Sequence, residues 1–292
     1  MKVSQADGHY VTEVSRPESL APLGLGQRQL LTMLSKTPEE LGREFPELGV
    51  SGLGEKIAIT YLLGNGATAN VYLGSVDARE GVLKVMQRDF MHLADHEAAV
   101  TARLLHVGTQ FLSNCTKVKD GVLFFDEILR PIQALCPRHV VGLIVCLEHT
   151  HSKAKVVHRD IRPDNIMEAP NGEIRLIDWG FAYVHGTTAI PAFEGTFRFA
   201  SDEVLEAAII GRPRVPKPED DLESLVRVVF AMTDWNLWHT LAEIGNGDFA
   251  GAKQLWGRFQ KENPRQTGMF SAAANLDYEA LKHIPPGLSE DT

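Results

Sequence analysis

The first part of the chain carries short apolar runs, several of them alternating with polar residues, and this pattern is typical of β-strands. Five runs are expected to form strands, near residues 56–63, 70–76, 81–86, 115–119 and 121–126. The last two are joined at Lys119–Val122, where Asp120 and Gly121 predict a hairpin turn. Residues 56–128 are therefore expected to form a small lobe built on an antiparallel sheet.

Helical patterns interrupt this lobe once and dominate the chain after it. Residues 89–106 have helical composition, with apolar positions at Ala94, Ala98, Leu104 and Leu105. A second helix is expected over Pro137–Ser152, and residues 129–292 are interpreted as a larger, mainly helical lobe. The fold class that follows is α+β, with two lobes.

Residues 1–55 carry none of the chemistry described below and are interpreted as a partly helical extension. Residues 27–35 have helical periodicity, and Thr37 followed by Pro38 has the residue types of a helix start. The apolar residues here are too few for a separate core, so we expect the extension to pack on the sheet lobe and its helix, or to mediate dimerisation. For residues 1–20 a disordered leader is the alternative.

Composition narrows the class of protein. The chain has 292 residues, 44% of them hydrophobic, and a net charge of −9, which argues against nucleic acid as its main partner. Its cysteines (Cys115, Cys136 and Cys146) lie in apolar contexts without metal-ligand spacing, as in reduced intracellular proteins. No apolar run reaches the roughly 18 residues of a membrane span. We expect a cytoplasmic or nuclear protein, and a secreted precursor that has lost its leader is the alternative.

The strongest chemical signal is the segment His158–Met167, which lies between short apolar runs and is interpreted as a loop held by buried neighbours. Its residues have the types and spacing that phosphoryl transfer requires. Asp160 can orient an attacking hydroxyl and accept its proton, and Asn165, five residues later, can hold a divalent metal ion. Arg162 lies between them and can meet phosphate charge.

A second carboxylate, Asp178, ends an apolar run and precedes an aromatic residue and a glycine. An aspartate near a glycine is by itself more often part of a turn. This one follows Asp160 by 18 residues, across a hairpin turn expected at Asn171–Gly172. With Asn165, Asp178 is therefore expected to bind the magnesium ion that bridges the phosphates of a nucleotide.

Upstream, residues 63–71 have the pattern of a strand, a glycine-rich turn and a returning strand. Gly64 and Gly66 leave room for backbone N–H groups to approach phosphates. Lys84 follows in a buried strand. In isolation it would be interpreted as a surface lysine. Because it follows the glycine-rich turn and precedes Asp160 and Asp178, we expect it to pair with nucleotide phosphates.

A lysine in this role needs a carboxylate to hold it, and Glu97 in the predicted helix is the candidate. Two other carboxylates are less well placed. Glu80 is expected in a turn before the lysine strand, and Asp95 on the opposite face of the helix from Glu97.

Together these motifs resemble the catalytic core of the protein kinases, over about residues 56–270. Asp178–Gly180 is similar to the metal-binding triplet of that family, with Trp179 in place of the usual Phe. Gly195–Ser201 and Glu219–Leu225 resemble the casein kinase I-like kinases, including the vaccinia-related kinases. A looser similarity links the chain to crinkler-type effectors, which act in a host cell, and to fungal-type kinases.

The resemblance implies the bilobal protein-kinase fold and transfer of the ATP γ-phosphate to serine or threonine hydroxyls of proteins, with autophosphorylation and with Mg²⁺ or Mn²⁺. It assigns catalytic roles to Asp160, Lys84, Arg162, Asn165, Asp178 and Glu97. It assigns nucleotide contacts to Gly64, Gly66, Val71, Val82, Lys84, Phe125, Asp126, Ile128 and Met167. It also implies that Asp221 caps the catalytic loop from a central helix.

Besides Trp179, four sites depart from the family pattern. Ala69 stands in place of a third glycine, which should stiffen the phosphate loop. Arg162 stands in place of the usual lysine, and its planar guanidinium meets phosphate in a different geometry from an ammonium group. Neither change abolishes the chemistry. Thr101 stands where kinases usually have an aliphatic residue, and the Ala-Pro-Glu triplet is represented only by Ser201–Glu203.

Two other functions stay open. A pseudokinase, which keeps the fold as a binding module, predicts the loss of one or more of Lys84, Asp160, Asn165 and Asp178, all of which are present. A small-molecule kinase of the same fold commonly has His-Gly-Asp where this chain has His158–Asp160.

The segment after the metal-binding triplet offers hydroxyl groups for regulatory phosphorylation, namely Tyr183, Thr187, Thr188, Thr196 and Ser201. We expect autophosphorylation at Thr187 or Thr188, with Arg159 as the residue that receives the phosphate. The alternative is that these are simply loop hydroxyls. Thr196 is expected to have a structural role near Asp160.

The resemblance further implies that Arg198 helps to form an anion pocket for acidic or phosphorylated substrates. A local basic run, made up of Arg212, Arg214 and Lys217, would support it. The alternative is that Arg198 pairs internally with an acid such as Glu194 and that the basic run is a solvated loop.

Overall fold

The computed structural model describes residues 57–187 and 195–283 with their side chains, and residues 2–6 and 9–13 as backbone. The chain divides into two compact units, Met1–Glu55 and Lys56–Thr292. In the first, strands β1 (Lys2–Ala6) and β2 (His9–Glu13) pair antiparallel, a hairpin that the sequence pattern does not predict. The helices expected in this unit lie outside the described residues, so its packing and its role in dimerisation stay predictions.

Five antiparallel strands form the sheet lobe of the second unit, in the order β3-β4-β5-β7-β6. Their bounds are Ile57–Asn65 (β3), Ala69–Val76 (β4), Arg79–Met86 (β5), Cys115–Lys119 (β6) and Val122–Phe125 (β7). Each lies where the hydrophobic pattern predicts a strand, and Gly121 has a φ of +72° in the predicted hairpin turn. The expectation for Glu80 is wrong, because the turn before Lys84 is the tight pair Asp77–Ala78 and Glu80 already lies in β5.

Two glycines let the strands of this sheet pack closely. A β-carbon on Gly74 would lie 2.3 Å from the carbonyl oxygen of Ala58, and one on Gly81 would lie 2.3 Å from that of Phe125. Both distances are far shorter than a contact between non-bonded atoms allows. The sheet around Lys84 therefore depends on the absence of side chains at these positions.

One helix, α1 (Met91–His106), packs on the sheet and confirms the helix expected there, with a 3₁₀ turn before it. Two of its polar side chains reach backbone of the helical lobe. Arg103 Nε donates to the carbonyl oxygen of Ala154 at 2.6 Å, and His96 Nε2 lies 2.7 Å from that of Ala182. The helix thus connects the two lobes.

The rest of the second unit is mainly helical, as predicted. Within the described residues its helices are Pro137–His149 (α2), Asp202–Ile209 (α3), Pro218–Thr233 (α4), Trp235–Glu243 (α5), Phe249–Glu262 (α6), Thr267–Ala274 (α7) and Tyr278–Lys282 (α8). Helix α4 is central and largely buried, and Pro218 starts it. Among the described residues, no helix combines the length and apolar character that crossing a membrane requires.

Short strands hold the catalytic region in place. They are Arg130–Pro131 (β8), Val156–Val157 (β9), Ile166–Glu168 (β10), Ile174–Leu176 (β11) and Tyr183–Val184 (β12). Strands β10 and β11 form the predicted hairpin, with Gly172 at a φ of +78°. Strand β8 pairs with β10, and β9 pairs with β12. The loop 158–165 is therefore fixed at both ends by paired strands.

Arg227 of α4 is fully buried and holds the segment that enters α3. Its guanidinium donates to the carbonyl oxygen of Ala200, to Asp202 at 2.6 Å and to Glu223. It also lies 5.1 Å from the ring centre of Trp256. The backbone N–H of Asp202 donates to Glu223 at 3.0 Å, so a polar network forms around one buried cation.

Candidate active site

Lys84, Glu97 and Asp178 meet where β5, α1 and the segment after β11 come together. Lys84 Nζ lies 2.7 Å from Glu97 Oε2 and 2.6 Å from Asp178 Oδ1. The structure therefore pairs Lys84 with Glu97, as predicted. Asp95, which was expected to be less well placed than Glu97, pairs with Lys117 at 2.5 Å.

The three charged groups shift one another's pKa values. Burial would lower the pKa of Lys84, but attraction to Glu97 and Asp178 raises it above its ordinary value. Burial raises the pKa of Glu97, and the charge of Lys84 only partly offsets this. Burial also opposes ionisation of Asp178, yet the charge of Lys84 and their hydrogen bond lower its pKa. Lys84 is therefore a fixed cation at neutral pH.

The carboxylate of Asp160 is held on both oxygens. Oδ1 accepts a bond from the backbone N–H of Thr196 at 2.7 Å, and Oδ2 accepts one from Asn165 Nδ2 at 3.0 Å. Asn165 also donates to the backbone carbonyl of Asp160 at 2.8 Å, and Arg162 Nε lies 3.3 Å from Oδ2. Thr196 thus lies beside Asp160, as expected, and acts through its backbone.

His158 and Trp179 connect the catalytic loop to the metal-binding triplet. His158 Nδ1 accepts the N–H of Asp160 at 3.2 Å, and Nε2 donates to the carbonyl oxygen of Ile177 at 3.0 Å, the pattern of a neutral imidazole. The ring of Trp179 packs edge-on against it, with centroids 4.4 Å apart. Trp179 stands where the family has phenylalanine. Its additional polar atom, Nε1, donates to the carbonyl oxygen of Leu176 at 3.1 Å.

Asp221, in the first turn of α4, anchors the backbone of the catalytic loop. It accepts the N–H groups of His158 at 2.6 Å and Arg159 at 2.8 Å, so the cap that the resemblance implied is present. Arg159 and Asp178 have φ values of +74° and +67°, which are costly for residues with a β-carbon and need such anchors. His151 Nε2, at 2.9 Å from Asp221, is a further anchor that the sequence does not reveal, because one histidine in a helix forms no motif.

Hydrogen bonds close the glycine-rich turn between β3 and β4. The N–H of Gly66 donates to the carbonyl of Ala69 at 2.9 Å, and Gln87 Nε2 donates to that of Gly66 at 2.9 Å. Gln87 was not predicted, since nothing near it forms a motif. The methyl group of Ala69 is buried in an apolar cluster with Met86, Leu93, Ala94 and Leu123. This packing explains why a side chain stands where the family has glycine.

Three of the residues expected to contact the nucleotide, Val71, Val82 and Phe125, lie on the strand of Lys84 or on its two neighbours. Val71 is opposite Lys84 in the β4–β5 register, and Val82 is opposite Phe125 at the end of β7. All three apolar side chains are half-buried. The connection Asp126–Ile128 follows Phe125, and Met167 lies half-buried in β10. The placement agrees with the expectation, and the contact with adenine itself stays a prediction.

Two of the hydroxyl groups considered for phosphorylation are not accessible. Tyr183 is buried in β12, and Ser201 is buried, donates to Asp220 at 2.6 Å and caps α3. Thr187 is exposed, and its hydroxyl donates to the carbonyl oxygen of Val184 at 3.0 Å. Thr188 lies outside the described residues. Of the two expected autophosphorylation sites, the structure therefore describes an accessible Thr187.

Arg198, the centre of the expected anion pocket, has internal partners. Arg198 Nη2 donates to the carbonyl oxygen of Ile244 at 2.8 Å, and its guanidinium lies 5.1 Å from the ring centre of Phe197. The internal partner of Arg198 is thus a carbonyl group. Glu194, the partner considered in the alternative, lies outside the described residues.

Arg214 and Lys217 do not add free positive charge to this surface. Arg214 contacts Asp220 at 2.5 Å and Glu203 at 2.6 Å, and Lys217 contacts Glu203 at 2.9 Å. The expectation of a basic cluster built from them is therefore wrong, because two nearby carboxylates balance their charge. Arg212 is exposed, forms no ion pair with any described residue, and lines a cavity of about 380 Å³.

Comparison with known proteins agrees with this geometry. The family model for the protein kinase domain matches residues 58–232. A probable serine/threonine-protein kinase of Dictyostelium discoideum is 31% identical over 137 residues, which cover 46% of this chain and 21% of that protein. A probable serine/threonine-protein kinase of Streptomyces coelicolor is 28% identical over 181 residues, which cover 52% and 27%. The probable serine/threonine-protein kinase MARK-C of D. discoideum is 27% identical over 229 residues, which cover 68% and 28%. In each case this chain matches less than a third of the relative's length.

Proposed function

Because the chain belongs to the protein kinase family, we propose that it transfers the γ-phosphate of ATP to serine or threonine hydroxyls of protein substrates. The observation that carries the proposal is the position of Lys84, which contacts Glu97 and Asp178 at the same time. Buried charges from three separate elements cost free energy of desolvation, and such clusters are typical of functional sites.

Each catalytic residue has a role that follows from its contacts. Asp160 would orient the substrate hydroxyl and accept its proton, and Asn165 helps to fix its carboxylate. Arg162, beside Asp160, would meet charge on the transferred phosphate. Lys84 would bind the α- and β-phosphates, held in position by Glu97.

Family membership implies ATP and a divalent metal ion, and the described residues fit both. Asn165 directs its amide nitrogen at Asp160, which leaves its amide oxygen for a metal ion, and Asp178 supplies a carboxylate. Two oxygen donors suit Mg²⁺, which we propose as the ion, because Mg²⁺ takes few protein ligands and shares its shell with phosphate and water; Mn²⁺ is the alternative. A bound ion would neutralise charge on the nucleotide phosphates.

The kind of protein kinase is also part of the proposal. Serine/threonine specificity is supported by the names of several relatives, among them those from D. discoideum and S. coelicolor. The casein kinase I-like subgroup is supported by the residues of Gly195–Ser201 and Glu219–Leu225. A pseudokinase is disfavoured, since Lys84, Asp160 and their metal-binding partners are present and in contact.

We further propose that acidic substrates are favoured through Arg212. Its charge is not balanced by an ion pair within the described residues, and it lines the cavity of about 380 Å³ together with Arg159, which immediately precedes Asp160. Positive charge near the site would steer negatively charged segments towards it, and the effect would weaken as salt rises.

The test is an assay of purified protein with labelled ATP and Mg²⁺, scored for autophosphorylation and for transfer to an acidic protein of casein type and to a neutral one. Asp160→Asn is the matched control, because it keeps the size of the side chain and removes the proton acceptor. We expect transfer by the wild type, little by the variant, and label at Thr187 or Thr188 by mass spectrometry. Binding of Mg·ATP without transfer to any protein would instead identify a binding module.

A further inference from the structure

A chain of hydrogen bonds leads from the last described helix to the catalytic loop. Tyr278, at the start of α8, places its hydroxyl oxygen 2.8 Å from His151 Nδ1. His151 Nε2 lies 2.9 Å from Asp221 Oδ2, and the same oxygen accepts the N–H of His158 at 2.6 Å. Asp160 follows two residues later. Three side chains therefore connect α8 to the backbone beside the catalytic carboxylate.

The charge state of Asp221 determines the direction of its hydrogen bond with His151. Burial opposes ionisation of Asp221, but the hydrogen bond and charge of His151 and the N–H of Arg159 lower its pKa, so it is a carboxylate that only accepts. Because a carboxylate only accepts, His151 donates to it from Nε2, and His151 Nδ1 shares a hydrogen bond with the Tyr278 hydroxyl. Burial and the charge of Asp221 raise the pKa of Tyr278, so the hydroxyl keeps its proton. The Asp221 carboxylate thus fixes the proton on Nε2, and Tyr278 holds the orientation of the imidazole.

Helix α8 is anchored firmly enough to hold this hydroxyl. Asp277 caps it by accepting the N–H of Ala280 at 2.9 Å, and Leu281 is buried in the core. Lys282 Nζ contacts Glu148 of α2 at 3.1 Å. The helix lies beyond residue 232, where the match to the protein kinase domain ends, so the shared family segment does not account for it.

We propose that Tyr278 is a positioning residue for phosphoryl transfer, acting through His151 on the Asp221 carboxylate that holds the catalytic loop. That carboxylate keeps Arg159 at its costly φ of +74°, through a bond of 2.8 Å to the N–H of Arg159. A freely rotating carboxylate would hold this backbone less well, and the next residue, Asp160, would lose its fixed position. Helix α8 then contributes to catalysis, because it carries Tyr278. The activity readout rests on the proposed kinase function.

The first test compares Tyr278→Phe, which removes only the hydroxyl, with Tyr61→Phe, which removes an exposed hydroxyl from β3. We expect kcat of Tyr278→Phe to fall about three- to tenfold, the size of one hydrogen bond, with an unchanged KM for ATP. The control should match the wild type. In a His151→Leu background the same substitution should have little further effect, because the connection is already broken. Unchanged kcat, or losses that multiply independently, would overturn the proposal.

The second test does not need activity. Hydrogen–deuterium exchange should be several-fold faster in Tyr278→Phe at residues 157–160 and unchanged in strand β5. If the wild type transfers no phosphate but this local change is present, the proposed function fails and the positioning role of Tyr278 stands. If exchange became equally faster throughout the chain and kcat did not change, Tyr278 would contribute only to the stability of the fold, and the proposal would be overturned.

Discussion

At the scale of single residues, the buried charge of Lys84 is stabilised by Glu97. Both side chains are buried, so leaving either charge without its partner would cost free energy. Lys84→Met should lower kcat/KM by orders of magnitude. Methionine packs much like the lysine stem, so the fold should be kept, at a lower melting temperature because Glu97 loses its buried partner. Glu97→Gln should have a similar effect, and the double variant should lose little more. Kinetics and melting temperatures of the three variants decide this, and strictly additive losses would show that Glu97 is the wrong partner.

Substitutions at Asp160 and Asp178 should affect phosphoryl transfer and Mg·ATP binding differently. Asp160→Ala removes the proposed proton acceptor, so it should nearly abolish transfer with almost normal affinity for Mg·ATP. Asp178→Ala removes a proposed metal ligand and a contact of Lys84, so it should abolish transfer and also weaken Mg·ATP binding. Titration with nucleotide, with and without Mg²⁺, measures the difference. Normal Mg·ATP affinity and turnover in Asp178→Ala would contradict its assignment.

Within the catalytic loop the functional residues could be predicted from side-chain type and short spacing. Asp160 and Asn165 are five positions apart in one loop, and their contact follows from that spacing. Arg198 is the opposite case, because its partner is the carbonyl oxygen of Ile244, 46 positions away. Every residue has a carbonyl group, so no choice of side chain reveals such a partner.

At the scale of elements, the glycines of the sheet should be intolerant of any side chain. Gly81→Ala places a methyl group against the carbonyl oxygen of Phe125 and should lower the free energy of unfolding by about 1–3 kcal/mol. Gly257→Ala in α6 meets no atom within 4 Å and should raise it by about 0.5–1 kcal/mol. Urea unfolding of both variants provides the measurement, and equal effects would mean that the sheet can relax around Gly81.

The link between α4 and the catalytic loop should make stability depend on pH. Burial opposes ionisation of Asp221, but the hydrogen bonds and charge around it lower its pKa below the value of about 3.9 in unfolded chains. Its contribution to stability is therefore present above about pH 4 and is lost as the pH falls through the folded-state pKa. The difference in unfolding free energy between wild type and Asp221→Asn should be largest near pH 7 and shrink below about pH 4. A difference independent of pH would contradict this.

The long elements and the β10–β11 hairpin were predictable, and the two-residue strands were not. Strands β3 to β7 and helix α1 have enough residues for their periodicity to appear in the sequence. Strands β8, β9 and β12 have two residues each, too few for any period, and they exist because distant segments pair with them. The fold class could therefore be predicted, whereas the pairing of β8 with β10 and of β9 with β12 could not.

At the scale of the whole molecule, the two lobes are joined through α1, which carries Glu97. Arg103→Met keeps the apolar stem and removes the bond to the Ala154 carbonyl, so it should cost about 0.5–1.5 kcal/mol of stability and lower kcat. Arg88→Met, at an exposed position just before the same helix, is the matched control. Melting curves and kinetics measured side by side would contradict this role of α1 if both variants behaved alike.

The network around Arg227 has a consequence for how this sequence can change. Asp202 stands where the family triplet has proline, and it uses both its backbone N–H and its carboxylate, on Glu223 and Arg227 respectively. Proline offers neither group, so restoring it would leave a fully buried guanidinium short of a partner. The three positions therefore form one epistatic unit. Engineering towards the family consensus should weaken the protein here, and a viable reversal requires all three to be replaced together.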